Sequence, residues 1–158
     1  MIGLSMKRRF EIDAETLPDL PGMMLVTVEA LKELGGSATI QELDEKVIEL
    51  EGVTEAEQAF TMPRDENRTR VNYYLAWART YLKRGDALNN SKRGVWALTE
   101  IGSAISDLGA TRGIYEQVTL EERERARLKR LAAKQANADR GEVIEVMAED
   151  GPADEEDW

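Results

Sequence analysis

The stretch from Arg68 to Gly102 restricts the fold more than any other part of this 158-residue chain. Its first half, Arg68 to Arg84, places Val71, Leu75, Ala78 and Leu82 at helical spacing, and Gly85 closes it. Two short runs, Ala87–Asn89 and Val95–Leu98, then flank Asn90-Ser-Lys-Arg-Gly94, which is a hairpin signal. Thr99 opens a further short helix carrying Ile101, Ile105 and Leu108. A helix, a hairpin and a capped helix in immediate succession leave few architectures open.

The preceding residues narrow the choice. Met24, Val28, Leu31 and Leu34 predict a helix over Met23–Leu34, and Gly35-Gly36 supplies its left-handed stop. Thr39-Ile-Gln-Glu42 is a capping box, in which hydroxyl and carboxylate satisfy the first free amides of a helix. That helix is expected to bury Ile40, Leu43, Val47 and Leu50 and to end at Gly52. Ser37–Thr39, between the two helices, suits an edge strand. A second box, Thr54-Glu-Ala-Glu57, predicts one or two turns stopped before Pro63, after which the basic helix runs from about Glu66 to Arg84.

Helix, short strand, helix, basic helix, hairpin, helix is the order of a winged helix-turn-helix. The expected fold is therefore mostly α with a small β-hairpin, occupying residues 21–110. Residues 1–20, which contain Pro18 and lack periodicity, read as an N-terminal arm. A third box, Thr119-Leu-Glu-Glu122, predicts a charged helix to about Ala138 within an extension spanning 111–140. Residues 141–158 carry eight acids and no base, so an acidic, disordered tail is the default expectation there.

Charge is distributed unevenly. The chain has a net charge of −10, with thirteen acids against two bases in residues 11–57. Residues 64–98 reverse this, with eight Lys/Arg against three acids, the local imbalance a polyanion-binding face needs. The chain contains no cysteine and no histidine, which excludes Cys/His zinc sites, thiol nucleophiles and histidine general bases. No apolar run reaches the ~20 residues of a membrane span, and no secretory signal is visible. These features fit a cytoplasmic protein without a cofactor.

On a helical wheel Val71, Leu75, Ala78 and Leu82 form the core side of the basic helix. Opposite lie Thr69, Asn72, Tyr73, Ala76, Thr80 and Lys83, a polar face with small residues that suits a major groove. Asn72 offers adenine a paired donor and acceptor, and with Thr69 and Tyr73 it is a candidate for base edges. Arg68, Arg70, Arg79, Lys83 and the hairpin-tip residues Lys92 and Arg93 are candidates for the phosphate backbone. Trp96 and Trp77 read as packing residues.

Trp77-Ala-Arg-Thr-Tyr-Leu-Lys-Arg84, Ser91-Lys-Arg-Gly-Val-Trp96, Leu98-Thr-Glu-Ile-Gly102 and Val28-Glu-Ala-Leu-Lys-Glu-Leu-Gly-Gly36 together resemble the N-terminal domain of Mrr-type restriction endonucleases. The resemblance covers roughly residues 20–108. It implies a winged-helix DNA-binding module, normally joined to a separate nuclease domain and associated with recognition of modified DNA. Tyr73-Tyr74 stands where members of that family often carry Asn-Arg, so base preference does not carry over. A nuclease core needs carboxylates on adjacent strands to hold a metal. Asp44-Glu45-Lys46 lies instead in a predicted helix, so no metal site is assigned there.

The sequence thus predicts a non-catalytic protein that binds double-stranded DNA, as a regulator or as the targeting component of a restriction or defence system. A homodimer or a separate effector protein is the further partner considered, and the acidic tail is a candidate competitor for the basic face. The alternative is a protein-interaction or oligomerisation module built from the winged fold and the C-terminal helix.

Overall fold

Threonine is the recurrent start signal of this chain. In a computed structural model, which describes residues 8–140, the hydroxyls of Thr39, Thr54, Thr69 and Thr99 accept the backbone N–H of Glu42, Glu57, Asn72 and Gly102. Each cap satisfies one amide that a helix start would otherwise leave open, a contribution of about 1 kcal/mol. Asp19 does the same for Gly22. The resulting elements are α1 (Leu20–Glu33), β1 (Ser37–Thr39), α2 (Ile40–Glu51), α3 (Glu55–Ala59), β2 (Thr61–Met62), β3 (Asp65–Thr69), α4 (Arg70–Arg84), β4 (Leu88–Lys92), β5 (Val95–Leu98), α5 (Glu100–Ser103) and α6 (Leu108–Arg140).

Three strands form one antiparallel sheet in the order β1-β5-β4, so the expected edge strand at Ser37–Thr39 does form and pairs with Val95–Ala97. The hairpin is longer and tighter than the sequence suggested. Lys92 pairs with Val95, leaving Arg93-Gly94 as the turn, and Gly94 takes φ +77°. A register shift between Asn89 and Lys92 sets two residues of β4 against Trp96, the local kink of a bulge.

The core is built around α1, whose Met23, Met24, Val26, Val28, Ala30 and Leu31 are all sealed from solvent. This helix touches α2, α4, α5, α6, β1 and β5, which explains why its apolar residues extend beyond one stripe. Leu43 and Val47 of α2, Leu75, Ala78 and Leu82 of α4 and Trp96 of β5 complete the core. Leu50, expected inside, lies at the exposed end of α2.

Two stretches depart from the sequence reading. Residues 65–69 form β3 rather than the first turn of the basic helix, because they pair with Thr61–Met62 and the Arg70 amide donates to the Phe60 carbonyl (2.8 Å). Asp65 accepts the Asn67 amide (3.0 Å), which fixes the turn locally. The Thr119 box starts no helix, since α6 is continuous from Leu108. Asp107 caps its beginning by accepting the Ala110 amide (2.9 Å), and Thr111 donates to the Pro21 carbonyl (2.8 Å). With Leu108, Ile114, Tyr115 and Val118 packed inward, the burial of the first turns outweighs a local start signal further on. The helix therefore crosses residues 110 and 111 without a break. The short helix after Thr99 is confined to 100–103, leaving Ile101 exposed and Ile105 buried beyond its end.

The described part of the N-terminal arm has no helix or strand before α1, yet it is tightly held. Phe10 and Ile12 are buried, and a Cβ on Gly22 would overlap the carbonyl of Arg9. Glu51 accepts the backbone N–H groups of Arg9 and Phe10, while Glu57 accepts that of Ile12 (2.8 Å) and both terminal nitrogens of Arg8 (2.8 and 3.1 Å). Burial opposes ionisation of Glu57, but the Arg8 hydrogen bond, the Thr54 and Ile12 amides and the Arg8 charge outweigh it and hold the carboxyl at about 2. A folded value below the ordinary 4.5 means that this stabilisation is complete above about pH 4.5 and disappears as the pH falls towards 2. Hydrogen-exchange protection of the Ile12 amide is expected to fall through that window, and Glu57→Gln to lower it already at neutral pH. Protection unaffected by both would show that this carboxylate does not fasten the arm. The acidic tail, 141–158, lies outside the described residues.

Candidate nucleic-acid interface

α4 is fixed at both ends. Thr69 is the last residue of β3 and the N-cap of α4, its hydroxyl accepting the Asn72 amide (3.2 Å), so the helix start is tied to the β2–β3 hairpin. At the other end Gly85 lets the chain turn directly into β4, which packs back on α4. A side chain on Gly85 would strike Ile114 of α6.

The buried arc of α4 is broader than the wheel predicts. Ala76 and Thr80, placed on the groove side by the sequence, are buried, and α4 also touches α3, α6, β2, β3 and β4. Arg79 does not reach the surface: it is 1% exposed, its guanidinium lies 2.6 Å from the Asp44 carboxylate of α2 and 5.8 Å from the centre of the Trp96 ring. Its position about 80° from Val71 puts it against α2 and the sheet. Asp44 is thereby committed to an arginine inside the fold. Arg70 is buried too, donating to the Thr16 carbonyl (2.8 Å) with its guanidinium 5.3 Å from the Tyr74 ring centre. Arg70 and Arg79 are structural cations, and as the fold stands neither presents charge to a ligand.

The other candidates lie at the surface or its edge. Asn72 is exposed in the first turn of α4 and Tyr73 beside it is half-buried. Arg68, on β3, stacks 5.2 Å from the Tyr73 ring centre, which links the β2–β3 hairpin to the helix start and orients the arginine. Lys83 is half-buried near the helix end, and Lys92 and Arg93 are exposed at the β4–β5 tip. Arg64, counted in the basic stretch but not among the contact candidates, is placed by the hairpin between Met62 and Asp65 at its exposed turn. No periodicity marks two residues of strand, and only Pro63 hinted at a break.

Further along, α4 is ringed by half-buried aromatics. Trp77 meets Tyr81 edge-on at 5.9 Å, and Tyr81 stacks on Tyr115 of α6 at 5.2 Å. Arg84 bonds Glu122 and lies 3.6 Å from Glu121, so this cation joins α4 to α6. Burial raises the Tyr81 hydroxyl above its ordinary value.

α1, α2 and α4 on a three-stranded sheet, with a basic hairpin directly after α4, define a mostly α, winged-helix-like fold extended by a long C-terminal helix. The chain belongs to the Mrr N-terminal domain family, whose model matches residues 22–107, from the first turn of α1 to the residue before α6. No curated protein and no solved structure matches the chain. Among the described residues no helix is long and apolar enough to cross a membrane.

Proposed function

We propose that the protein is a non-catalytic DNA-binding module of a restriction-related system, gripping duplex DNA with the start of α4 and the β4–β5 wing. The observation that carries this reading is the two-residue wing tip: Arg93-Gly94 turns the hairpin so that Lys92 and Arg93 stand exposed beyond the strand that packs on α4. Cations on a short rigid hairpin beside a helix suit the phosphate backbone flanking a groove. Asn72, with Thr69 and Tyr73 in the same turn, supplies hydrogen-bonding and apolar surface for base edges, while Arg68 and Lys83 add backbone contacts. Arg79 and Arg70 drop out of this surface because the fold uses their charge internally.

A binding selection on random duplexes, modified and unmodified, tests the reading. Asn72→Ala is expected to alter the selected sequences at one or two positions, each worth about 1–3 kcal/mol of discrimination, with little loss of affinity for random DNA. An unchanged selection would remove Asn72 from the base-reading set.

A further inference from the structure

The long helix α6 has two unlike halves. Up to Glu122 it belongs to the folded body, with Thr111, Ile114, Tyr115 and Val118 turned inward and Glu121 and Glu122 meeting Arg84. Tyr81 stacks on Tyr115, Gly85 packs on Ile114 and Arg84 meets Glu121 and Glu122, so α6 passes the C-terminal end of α4. The rest of α6 extends outward from there. Residues 123–140 amount to about 27 Å of helix.

This distal half is strongly cationic. Residues 123–134 hold six Lys/Arg, all exposed, against the single acid Glu124. The overall balance of residues 99–140 hides it, because the acids of that stretch are concentrated before residue 123. Arg123, Arg127, Arg130 and Lys134 fall within about 40° of one line along the helix, rising by about 6, 4.5 and 6 Å. That line lies about 155° around the helix from the side by which Thr111, Ile114 and Val118 pack, so the body does not cover it. Like charges at these spacings oppose helix formation, whereas a helix adapted only to solvent alternates its signs. Within the stripe Arg127 bonds Glu124 (2.6 Å), and off it Arg125 lies 3.8 Å from Glu122.

We infer that the Arg123-Arg127-Arg130-Lys134 face is a second DNA-backbone contact, which lies along the phosphates of the duplex held by α4 and the wing. This rests on the proposed DNA-binding function and extends it. The four cations span about 16 Å, over which each strand of a duplex presents a phosphate every ~3.4 Å of its axis. An anionic membrane surface fits less well, because the exposed Leu120, Leu128 and Leu131 occupy only one flank of the stripe, while Arg125 and Lys129 charge the side opposite it and leave no broad apolar face to insert.

The test is the salt dependence of affinity for a long duplex, measured with the full chain, an Arg123→Gln/Arg127→Gln/Arg130→Gln/Lys134→Gln variant and a Lys92→Glu/Arg93→Glu variant. Glutamine keeps good helix propensity, and circular dichroism checks that the helix survives. The four-Gln variant should lose about two units of salt slope, as when two of the four cations meet phosphates, and bind about 60-fold more weakly at ~0.1 M salt. Arg123→Lys/Arg127→Lys/Arg130→Lys should restore both, since phosphates read charge. A four-Gln slope equal to wild type, with the wing variant impaired, overturns the α6 contact and leaves the proposed function standing. If the helix of the four-Gln variant melts, the single variants Arg127→Gln and Arg130→Gln decide: a slope lowered by up to about one unit in either supports the contact, and a wild-type slope in both overturns it. Failure of the wild type to bind any duplex at low salt would defeat both readings.

Discussion

Replacing Arg79 by alanine is expected to cost about 3–5 kcal/mol of folding stability, enough to leave a domain of this size marginal or unfolded. The size of the loss comes from what is left behind. Asp44 is 8% exposed and its carboxylate lies 2.6 Å from the arginine, so truncation strands a buried charge instead of merely deleting a contact. The same side chain spans α2, α4 and the sheet, where its guanidinium lies over Trp96, and its removal also opens a void beside that ring. A double replacement, Arg79→Met/Asp44→Leu, is expected to recover much of the loss by substituting apolar packing for the pair. Chemical unfolding of the single and double variants checks this. Equal, small losses in both would mean that the pair is well hydrated and that α4 is positioned by other contacts.

Reversing the wing charges should have a comparable effect on binding with almost none on folding. Lys92 and Arg93 are exposed, so Lys92→Glu/Arg93→Glu is expected to change stability by no more than about 0.5 kcal/mol. Losing two phosphate contacts lowers the salt slope by about two, which near 0.1 M salt is worth about 60-fold in affinity. The two introduced carboxylates then repel the backbone, so the total loss should be at least about 100-fold, and similar for every duplex sequence. A loss confined to particular sequences would instead assign Lys92 and Arg93 to base edges.

The contrast between Arg79 and Lys92 shows which parts of this protein were legible in its sequence. Helix starts at Thr39, Thr54 and Thr99 follow from spacing alone, because a capping hydroxyl acts on amides a few residues away. The wing follows from Asn90 to Gly94 for the same local reason. Thr119 carries an identical signal and fails, since whether a cap is used depends on the conformation of the residues before it, and tertiary burial decided that at Leu108. Residues 65–69 fail for a related cause: Asp65-Glu66-Asn67 looks like an acidic first turn, and only the pairing partner at Thr61–Met62 makes it a strand.

Among the site residues, exposure at a tip was predictable and burial on a helix flank was not. A wheel centred on Val71 leaves Arg79 at the margin, and nothing local indicates that Asp44, thirty-five residues earlier, waits there to neutralise it. Arg70 is hidden in the same way by the carbonyl of Thr16 in the arm. The basic character of residues 64–98 therefore overstates the charge available to a ligand, because part of it stabilises the fold. The distal half of α6 shows the converse, a basic face that averaging over a longer stretch had concealed.

The central claim is that one protein surface, from the start of α4 to the wing, binds duplex DNA largely through phosphates. The most direct test is a titration of labelled duplex at two salt concentrations, using the full chain and a combined Arg68→Glu/Lys83→Glu/Lys92→Glu/Arg93→Glu variant whose fold is verified by its melting transition. Binding by the wild type should weaken steeply with salt, and the variant should show no measurable binding at either concentration. Equal affinity of the two proteins, or wild-type binding indifferent to salt, would contradict the claim.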